Sequence, residues 1–510
     1  MSTQSTPATD GTGSSDHPSR SDGFVRGASE LIGGPLGEHA VERPAGDHGR
    51  FWTAARIVLA LACLTLALHW VQKSPCQDGA WQNNTQYTRL CYTDVLALYY
   101  AEKLNEGAVP YADHPVEYPV LTGYFMGAIG LPVHSLGADN PAINQAQWFY
   151  NANALVLSLL AVGTVATILS LRRRRPWDAA LFALSPALLL TATVNWDLLA
   201  IGLAAFGLLA WARAGTGRHG SALIVLAGAL LGLAGAAKMW PLFLFGPLLV
   251  LALRAGRLKA ALTATAAGLV ALVAVNLPVA IPYRDNWNRF FELNTERPID
   301  WGTLWYIGRY LDGRIGTDPA DPGPFEWLNL HTPTLNLLSY ALFGLACVGV
   351  AALVLVAPRR PRLAQLAFLV VAAFLIFSKV WSQQFVLWLL PLVVLARPRW
   401  GAFLAWQIAE VAYFAAFYAE LLGATPNHAP VIPEGVFVLA STLRLGTVVL
   451  LCVLVIREIL HPELDVVRHT YRDDPDGGVL DGAPDAPWFQ RWRHRDTSTE
   501  EAPTPATATT

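Results

Sequence analysis

The chain has 510 residues, of which 53% are hydrophobic and only 15% are charged, and its mean hydropathy is +0.36. Soluble domains carry about 25% charged residues, so the composition excludes an ordinary soluble protein. It predicts an all-α polytopic membrane protein in contact with membrane lipids. The net charge of −2 gives no reason to expect a nucleic-acid partner.

Residues 1–50 are rich in Ser, Thr, Gly, Asp and Pro and contain no apolar run of the kind found in signal peptides. They are predicted to form a disordered cytoplasmic tail. Residues 461–510 are predicted to form a second cytoplasmic tail that is mostly disordered. The membrane domain is expected between the two tails, over residues 51–460.

Between the tails, hydrophobic segments predict about twelve transmembrane helices, although several are shorter than the about 20 residues of a straight span. The segments are approximately Ala54–Val71, Trp148–Leu171, Ala179–Val194, Leu198–Trp211, Ala222–Ala237, Trp240–Leu253, Ala260–Ile281, Leu335–Val356, Leu363–Phe377, Phe385–Leu395, Gly401–Phe417 and Val436–Ile456.

Basic residues determine the predicted orientation, because cytoplasmic loops of membrane proteins carry an excess of Lys and Arg. The basic clusters are Arg172–Arg175, Arg213/Arg218, Arg254/Arg257/Lys259, Arg359/Arg360/Arg362 and Arg397/Arg399. All of them fall on one side of the predicted helices. That side is predicted to be the cytoplasm, which gives a multi-pass plasma-membrane protein with both tails inside.

The apolar run Pro119–Leu136 would reverse this arrangement if it crossed the membrane, because every later basic cluster would change side. It is therefore predicted to be a juxtamembrane or re-entrant helix within the first outer loop. Gly130 and Pro132 inside the run favour a broken element.

Asp94 follows the first hydrophobic segment, in an outer loop rich in aromatic residues and prolines. A carboxylate there is suited to act as a general base that takes a proton from an acceptor hydroxyl. The structural alternative is an N-cap of the helical run Val95–Leu104, and the two roles are compatible. Glu117 in the same loop is a weaker candidate. Asp197 is either a second carboxylate near the site or a solvated acid at a hairpin tip.

Lys238 and Lys379 are informative because the chain has few lysines and each is followed two residues later by Trp. They either bind the phosphate of a lipid-linked donor or extend to lipid headgroups. Arg297, in the long outer loop 282–333, is a further candidate for binding phosphate. His331, also on the outer side, is either structural or a hydrogen-bond donor to the substrate.

Cys76 and Cys91 flank one polar loop on the predicted outer side, where an oxidising compartment would allow a disulfide. The sequence leaves this pairing open, because it does not report the geometry that a disulfide needs. The cysteines and histidines lack the spacing of a zinc site. Nucleotide-binding loops and nucleophile elbows are absent from the sequence.

Seven short motifs together resemble glycosyltransferase family 87. They are Tyr92-Thr93-Asp94, Gly107-x-x-Pro110-Tyr111, Glu117-Tyr118-Pro119, Asn195-Trp196-Asp197, Ala237-Lys238-Met239-Trp240-Pro241, Glu296-Arg297-Pro298 and Ser378-Lys379-Val380-Trp381-Ser382-Gln383-Gln384. The resemblance covers roughly residues 54–456. The family often has Pro before the Gln of the last motif, where this chain has Gln383, so the role of that segment is less defined.

The resemblance implies a GT-C fold, with many membrane helices, juxtamembrane helices in the first outer loop and a cavity open to the outer leaflet. It implies inverting transfer of a sugar from a polyprenyl-phosphate donor, with Asp94 as the base. Tyr92, Trp381 and Gln384 lie in the family motifs and are possible substrate-binding residues. No cofactor or metal is expected, since Lys and Arg can offset the phosphate charge.

The family includes actinobacterial mannosyltransferases that use polyprenyl-phosphate mannose, one of which acts on phosphatidylinositol mannosides. The resemblance therefore favours mannose as the sugar and a cell-envelope glycolipid or glycan as the acceptor. An arabinofuranosyl or other sugar transferase on the same scaffold is one alternative, and a lipid or sugar transporter is another. A transporter would favour charges near the bilayer midplane, whereas here they gather at the outer ends of helices.

Overall fold

The computed structural model describes residues 21–33, 51–215, 219–313, 323–426 and 428–500. The α-helices, numbered in chain order, are α1 Gly23–Gly33, α2 Ala54–Lys73, α3 Thr85–Thr88, α4 Asp94–Ala101, α5 Val120–Gly137, α6 Gln145–Leu171, α7 Ala180–Ala183, α8 Pro186–Thr191, α9 Asp197–Ala214, α10 Gly220–Ala237, α11 Phe245–Arg254, α12 Leu258–Ala280, α13 Arg284–Glu296, α14 Leu304–Asp312, α15 Pro324–Leu330, α16 Thr332–Val356, α17 Leu363–Phe377, α18 Val386–Ala396, α19 Trp400–Gly423, α20 Glu434–Leu460, α21 Val466–Tyr471 and α22 Pro487–Glu500. Strands are absent from this part of the chain.

The predicted basic clusters lie together at one end of the helix bundle, which we call the basic end. Arg218 of these clusters is outside the described residues. Arg172, after α6, donates to the carbonyl of Leu395 near the end of α18 at 2.8 Å. Arg362, before α17, donates to the same carbonyl at 2.8 Å. Arg254, at the end of α11, donates to the carbonyl of Val354 near the end of α16 at 2.6 Å. These contacts fix the basic loops to one another.

The other helix ends meet at the opposite end of the bundle, which we call the cavity end. Asn195, just before α9, bonds to Asp94 at the start of α4. Gln383, just before α18, bonds to Tyr418 near the end of α19 at 2.8 Å. The residues predicted to be external therefore share one end of the bundle, and the predicted cytoplasmic clusters share the other.

Within its described residues the chain passes twelve times between the two ends, as the sequence predicts. By length and composition, nine helices of the described chain could cross a membrane, and three further apolar helices are shorter. The two ends are connected by eight of the nine long helices, by the three shorter helices and by the segment 176–194. The prediction of one helix over Ala179–Val194 is wrong, because the segment 176–194 is interrupted. It is broken into α7, α8 and a short turn because Ser185 caps α8, with Pro186 at its first position.

The ninth long helix, α5, begins and ends at the cavity end. Near its start, the Thr122 hydroxyl donates to the carbonyl of Ala237, the last residue of α10, at 2.7 Å. At its other end, Gly137 lies against Gln145, the first residue of α6. These contacts agree with a juxtamembrane helix. The expected break is wrong, however, because α5 is continuous through Gly130 and Pro132.

The predicted disorder of residues 461–510 is wrong for residues 461–493, which pack against the basic end. Asp476 pairs with Arg172 at 2.6 Å, and Asp465 pairs with Arg362 at 2.7 Å, with all four side chains almost fully buried. The polar composition of residues 461–493 resembles that of a disordered tail, but Asp465 and Asp476 each pair with an arginine of a basic loop. The described C-terminal segment is therefore part of the folded domain.

The N-terminal tail is also partly folded. Residues 23–33 form α1, and Asp22 accepts a hydrogen bond from the backbone N–H of Trp400 at 2.7 Å. The predicted disorder is therefore wrong for residues 22–33. Residues 1–20, 34–50 and 501–510 lie outside the described part of the chain.

Candidate active site

The position of Asp94 is set by the start of helix α4. The N-cap of this helix is Thr93, whose hydroxyl accepts from the N–H of Val95 at 3.2 Å and donates to the carbonyl of Thr193 at 2.6 Å. Asp94 is the first residue of the helix, and its own N–H donates to the carbonyl of Val194 at 2.7 Å. The N-cap alternative for Asp94 is therefore wrong, and its carboxylate is available for other contacts.

The Asp94 carboxylate accepts several side-chain hydrogen bonds. Asn195 donates to Oδ2 at 2.7 Å, and Gln384 approaches the same oxygen at 3.4 Å. Burial raises the pKa of Asp94, while hydrogen bonds from Asn195 and Tyr92 and the charge of Lys238 oppose that shift. A carboxylate whose pKa is raised is a stronger base than an exposed one, which suits proton transfer.

Lys238 follows α10 and lies between an acid and an aromatic ring. Its Nζ is 3.6 Å from Oδ1 of Asp197 and 4.6 Å from the ring centroid of Tyr118. Asp197 is fully buried and also accepts from Nε1 of Trp388 at 2.6 Å. Because Asp197 does not line the cavity described below, its predicted direct contact with substrate and its solvated alternative are both unsupported. It is the counter-ion of Lys238.

Lys379 lies close to the end of α13. Its Nζ donates to the carbonyl of Thr295 at 3.2 Å, and its own carbonyl accepts from the N–H of Asp300 at 2.9 Å. Burial and the nearby charge of Arg297 lower the pKa of Lys379 to about 8. Lys379 and Arg297 are close enough to affect each other electrostatically, and together they form a positive patch that favours an anion.

One cavity of about 640 Å³ collects these groups at the cavity end. Its polar lining includes Tyr92, Asp94, Glu117, Lys238, Arg297, Lys379 and Gln384. Its aromatic lining includes Tyr118, Trp240, Phe243, Phe290, Phe291, Tyr340, Phe343, Phe374, Phe377, Phe385 and Trp388. Its volume is within the range of about 300–1,000 Å³ of small-molecule sites. The cavity therefore combines a base and three cations with an apolar wall.

Two predicted residues lie elsewhere. Trp381 is buried, with the guanidinium carbon of Arg444 4.3 Å from its ring centroid. His331 stacks on Trp327 with 4.2 Å between the ring centroids and bonds through Nδ1 to the carbonyl of Trp327 at 2.8 Å. Neither Trp381 nor His331 lines the cavity, so direct substrate binding by either residue is unsupported, and the structural alternative fits His331.

The loop that precedes Asp94 is fixed by a disulfide and by a buried lysine. Cys76 and Cys91 form a disulfide with 5.7 Å between their Cα atoms, which resolves the pairing that the sequence leaves open. Lys73, at the end of α2, donates to the carbonyl of Tyr92 at 3.0 Å. Sequence reasoning missed Lys73, although a lysine at the C-terminal end of the first membrane helix is a visible signal.

Sequence reasoning also missed the roles of Asn195 and Tyr118. Asn195 uses one Nδ2 group for both Asp94 and the hydroxyl of Tyr118, which is 2.5 Å away. Both residues belong to motifs that resemble family 87, but a neutral amide or phenol carries a weaker signal in sequence than the acid beside it. As regards metal binding, no cluster of three or more His, Cys, Asp or Glu side chains suited to an ion occurs within the described ranges.

The chain matches the family model of glycosyltransferase family 87 over residues 142–382. The match supports a membrane glycosyltransferase of this family. The match confirms the resemblance carried by the motifs, and the all-helical, multi-pass architecture confirms the predicted GT-C fold. A search of curated proteins gave no match.

The matched segment includes Asp197, Lys238, Arg297 and Lys379. Asp94 precedes the segment and Gln384 follows it. For this glycosyltransferase, the assignment of Asp94 as the base therefore depends on its sequence motif and on its place in the cavity.

Proposed function

We propose that this glycosyltransferase transfers mannose from a polyprenyl-phosphate donor to a hydroxyl of a cell-envelope glycolipid or glycan. The transfer inverts the anomeric configuration and takes place on the outer face of the plasma membrane. The observation that carries this proposal is the cavity that joins the Asp94 carboxylate to three cations and an aromatic wall.

The cations Lys238, Lys379 and Arg297 suit the phosphate of the donor. A phosphodiester carries one negative charge, and Lys and Arg bind phosphate oxygens through charge-assisted hydrogen bonds. The apolar lining beside them, which includes Phe290, Phe291 and Phe343, suits the first isoprene units of the lipid. A lipid-linked donor is therefore favoured over a nucleotide sugar, which has no long apolar part.

Asp94 suits the role of general base. As the acceptor oxygen attacks the anomeric carbon, its proton passes to Asp94 and a new glycosidic bond forms. The bond between the anomeric carbon and the phosphate oxygen breaks on the opposite side, which inverts the configuration. The polyprenyl phosphate leaves with the bonding electron pair as a stable anion, so a general acid is not required.

The arrangement of charges supports action on the outer face. The basic clusters gather at the end of the bundle opposite the cavity, and loops rich in Lys and Arg stay in the cytoplasm. With the basic end inside, the cavity opens toward the outer leaflet and both tails lie inside. A donor that has been flipped to that leaflet would present its phosphate at the depth of the cations.

The proposal is tested by transfer with purified protein in lipid vesicles. Polyprenyl-phosphate [¹⁴C]mannose is incubated with extracted envelope lipids, in parallel with a polyprenyl-phosphate arabinofuranose donor. We expect labelled lipid product from the mannose donor, formed equally with or without a chelator. Labelled product from the arabinose donor alone would reassign the sugar, and the absence of product from either donor would reject a polyprenyl-phosphate sugar as the substrate.

A further inference from the structure

Arg444 lies deep in helix α20 and has no role in the chemistry described above. Its side chain is fully buried. Its Nε is 3.1 Å from Oε2 of Glu410, a buried acid on the neighbouring helix α19. Buried charges in membrane helices are costly and generally serve a function. An Arg–Glu pair at this position therefore needs an explanation beyond helix packing.

The guanidinium of Arg444 reaches the backbone of the segment 378–384. Nη1 donates to the carbonyl of Trp381 at 2.9 Å, and Nη2 donates to the carbonyl of Ser382 at 3.0 Å. These two carbonyls lie between helix α17 and the short turn that opens α18, where regular helical hydrogen bonds are interrupted. The Ser382 carbonyl also accepts from the N–H of Phe385 at 3.2 Å. A buried carbonyl without a donor would cost free energy, and the planar fork of Arg is suited to serve two carbonyls at once.

The same side chain is also held by aromatic rings. Its guanidinium carbon is 4.3 Å from the ring centroid of Trp381 and 4.2 Å from that of Tyr413. Glu410 is held in turn by Nε1 of Trp406, which donates to Oε1 at 2.9 Å. Arg444 has little freedom to move, because the ion pair, the two hydrogen bonds and the two aromatic rings all constrain its guanidinium.

Two residues of the cavity lie on either side of the point that Arg444 holds. Lys379 precedes it and Gln384 follows it, and both line the cavity. Gln384 approaches the Asp94 carboxylate at 3.4 Å, and Lys379 lies beside Thr295 and Arg297. A shift of the segment would therefore move one phosphate-binding cation and one neighbour of the base together.

We infer that Arg444 and Glu410 are positioning residues that hold the segment 378–384 in the conformation that directs Lys379 and Gln384 into the cavity. This inference rests on the proposed function of those two side chains. Neither member of the pair lines the cavity, and both lie beyond the segment that matches the family.

Two variants test the inference, with a matched control. Arg444→Lys keeps the charge but cannot serve Glu410 and both carbonyls in the same geometry. Glu410→Gln is the milder change, since its amide oxygen can still accept from Trp406. The control is Glu458→Gln, which removes a buried acid that pairs with Arg397 at 3.0 Å near the basic end of the same helix α20.

The first readout is backbone hydrogen exchange, which does not depend on any assumed substrate. We expect faster exchange in peptides that cover residues 378–385 for Arg444→Lys, a smaller increase for Glu410→Gln, and no change there for Glu458→Gln. Unchanged exchange in folded Arg444→Lys would overturn the inference. If neither Arg444→Lys nor Glu410→Gln folds, the pair serves helix stability and the inference also fails.

The second readout is transfer per folded molecule. Arg444→Lys should lower kcat/KM by about 10- to 100-fold, as displaced active-site groups commonly do. In a Lys379→Ala/Gln384→Ala background the same change should have almost no further effect, because the side chains that it positions are gone. A full additional loss in that background would overturn the inference. If the wild type transfers no sugar while exchange responds as expected, the proposed function fails and the structural part of the inference stands.

Discussion

Asn195 donates a 2.7 Å hydrogen bond to the carboxylate of Asp94 from 101 residues further along the chain. Its Nδ2 also lies 2.5 Å from the hydroxyl of Tyr118. One amide thus connects three motifs that resemble family 87, two from the loop that follows α2 and one from the segment just before α9. The carboxylate of Asp94 is therefore positioned by the segment before α9 as well as by its own helix α4.

Asn195→Ala should raise the pKa of Asp94, because the hydrogen bond from Asn195 opposes the effect of burial. A hydrogen bond to a charged group contributes about 1.5–3 kcal/mol, which corresponds to about one to two pH units. The base acts only when ionised, so the acid limb of the kcat/KM profile should move to higher pH by that amount. The control is Asn151→Ala, which removes a bond to Trp70 outside the cavity. An unchanged acid limb in Asn195→Ala would contradict the assignment.

Lys238→Ala and Lys379→Ala should each weaken binding of a polyprenyl-phosphate donor analogue more than binding of acceptor. A charge-assisted hydrogen bond contributes about 1.5–3 kcal/mol, or roughly 10- to 150-fold in affinity. Lys238→Ala also leaves buried Asp197 without its cation, so it should be paired with Asp197→Asn to protect folding. Titration of each folded variant checks the expectation. Unchanged donor affinity in both would leave the lysines as interfacial side chains.

Lys379 should produce an alkaline limb in the pH dependence of donor use. Its pKa is lowered to about 8 by burial and by Arg297, so its positive charge is lost as pH rises through that value. Because kcat/KM reports the free enzyme, it should fall above about pH 8. Lys379→Arg keeps a charge at all accessible pH values, and its limb should move upward. A limb that stays in place in this variant would belong to another group.

The orientation should be measurable with single cysteines in a background that lacks Cys63, Cys347 and Cys452. Arg174→Cys is exposed at the basic end, and Asp113→Cys is exposed in the loop that follows Asp94. An impermeant maleimide should label position 113 but not position 174 in intact cells. Labelling of position 174 from outside would reverse the orientation and place the cavity in the cytoplasm.

The helices were predictable because long apolar runs need helical backbone in a membrane, and eleven of the twelve predicted passes are single helices or nearly so. The break in the pass 176–194 was not predictable, because it depends on the cap at Ser185 and on tight burial of this segment. The folded C-terminal segment was missed because Asp465 and Asp476 resemble a solvated tail until their partners Arg362 and Arg172 are known.

The residues of the cavity could be named from motifs, as Asp94, Lys238, Arg297 and Lys379 illustrate. Their relative positions could not be predicted, because they depend on contacts between distant segments, such as Asn195 and Gln384, which lie 101 and 290 residues from Asp94. Arg444 shows this limit most clearly. In sequence it is one arginine within an apolar run, and its significance comes from two backbone carbonyls in a distant segment.

The central claim is that Asp94 is the base of sugar transfer, and Asp94→Asn tests it most directly. Asn keeps the shape and can still bond to its neighbours, but it cannot accept a proton. With purified protein in vesicles and a polyprenyl-phosphate sugar, turnover should fall by about 10²–10⁴-fold, while affinity for a donor analogue stays near that of the wild type. Asp113→Asn, which changes an exposed acid of the same loop that does not line the cavity, should remain fully active. Near-normal turnover in Asp94→Asn would contradict the account.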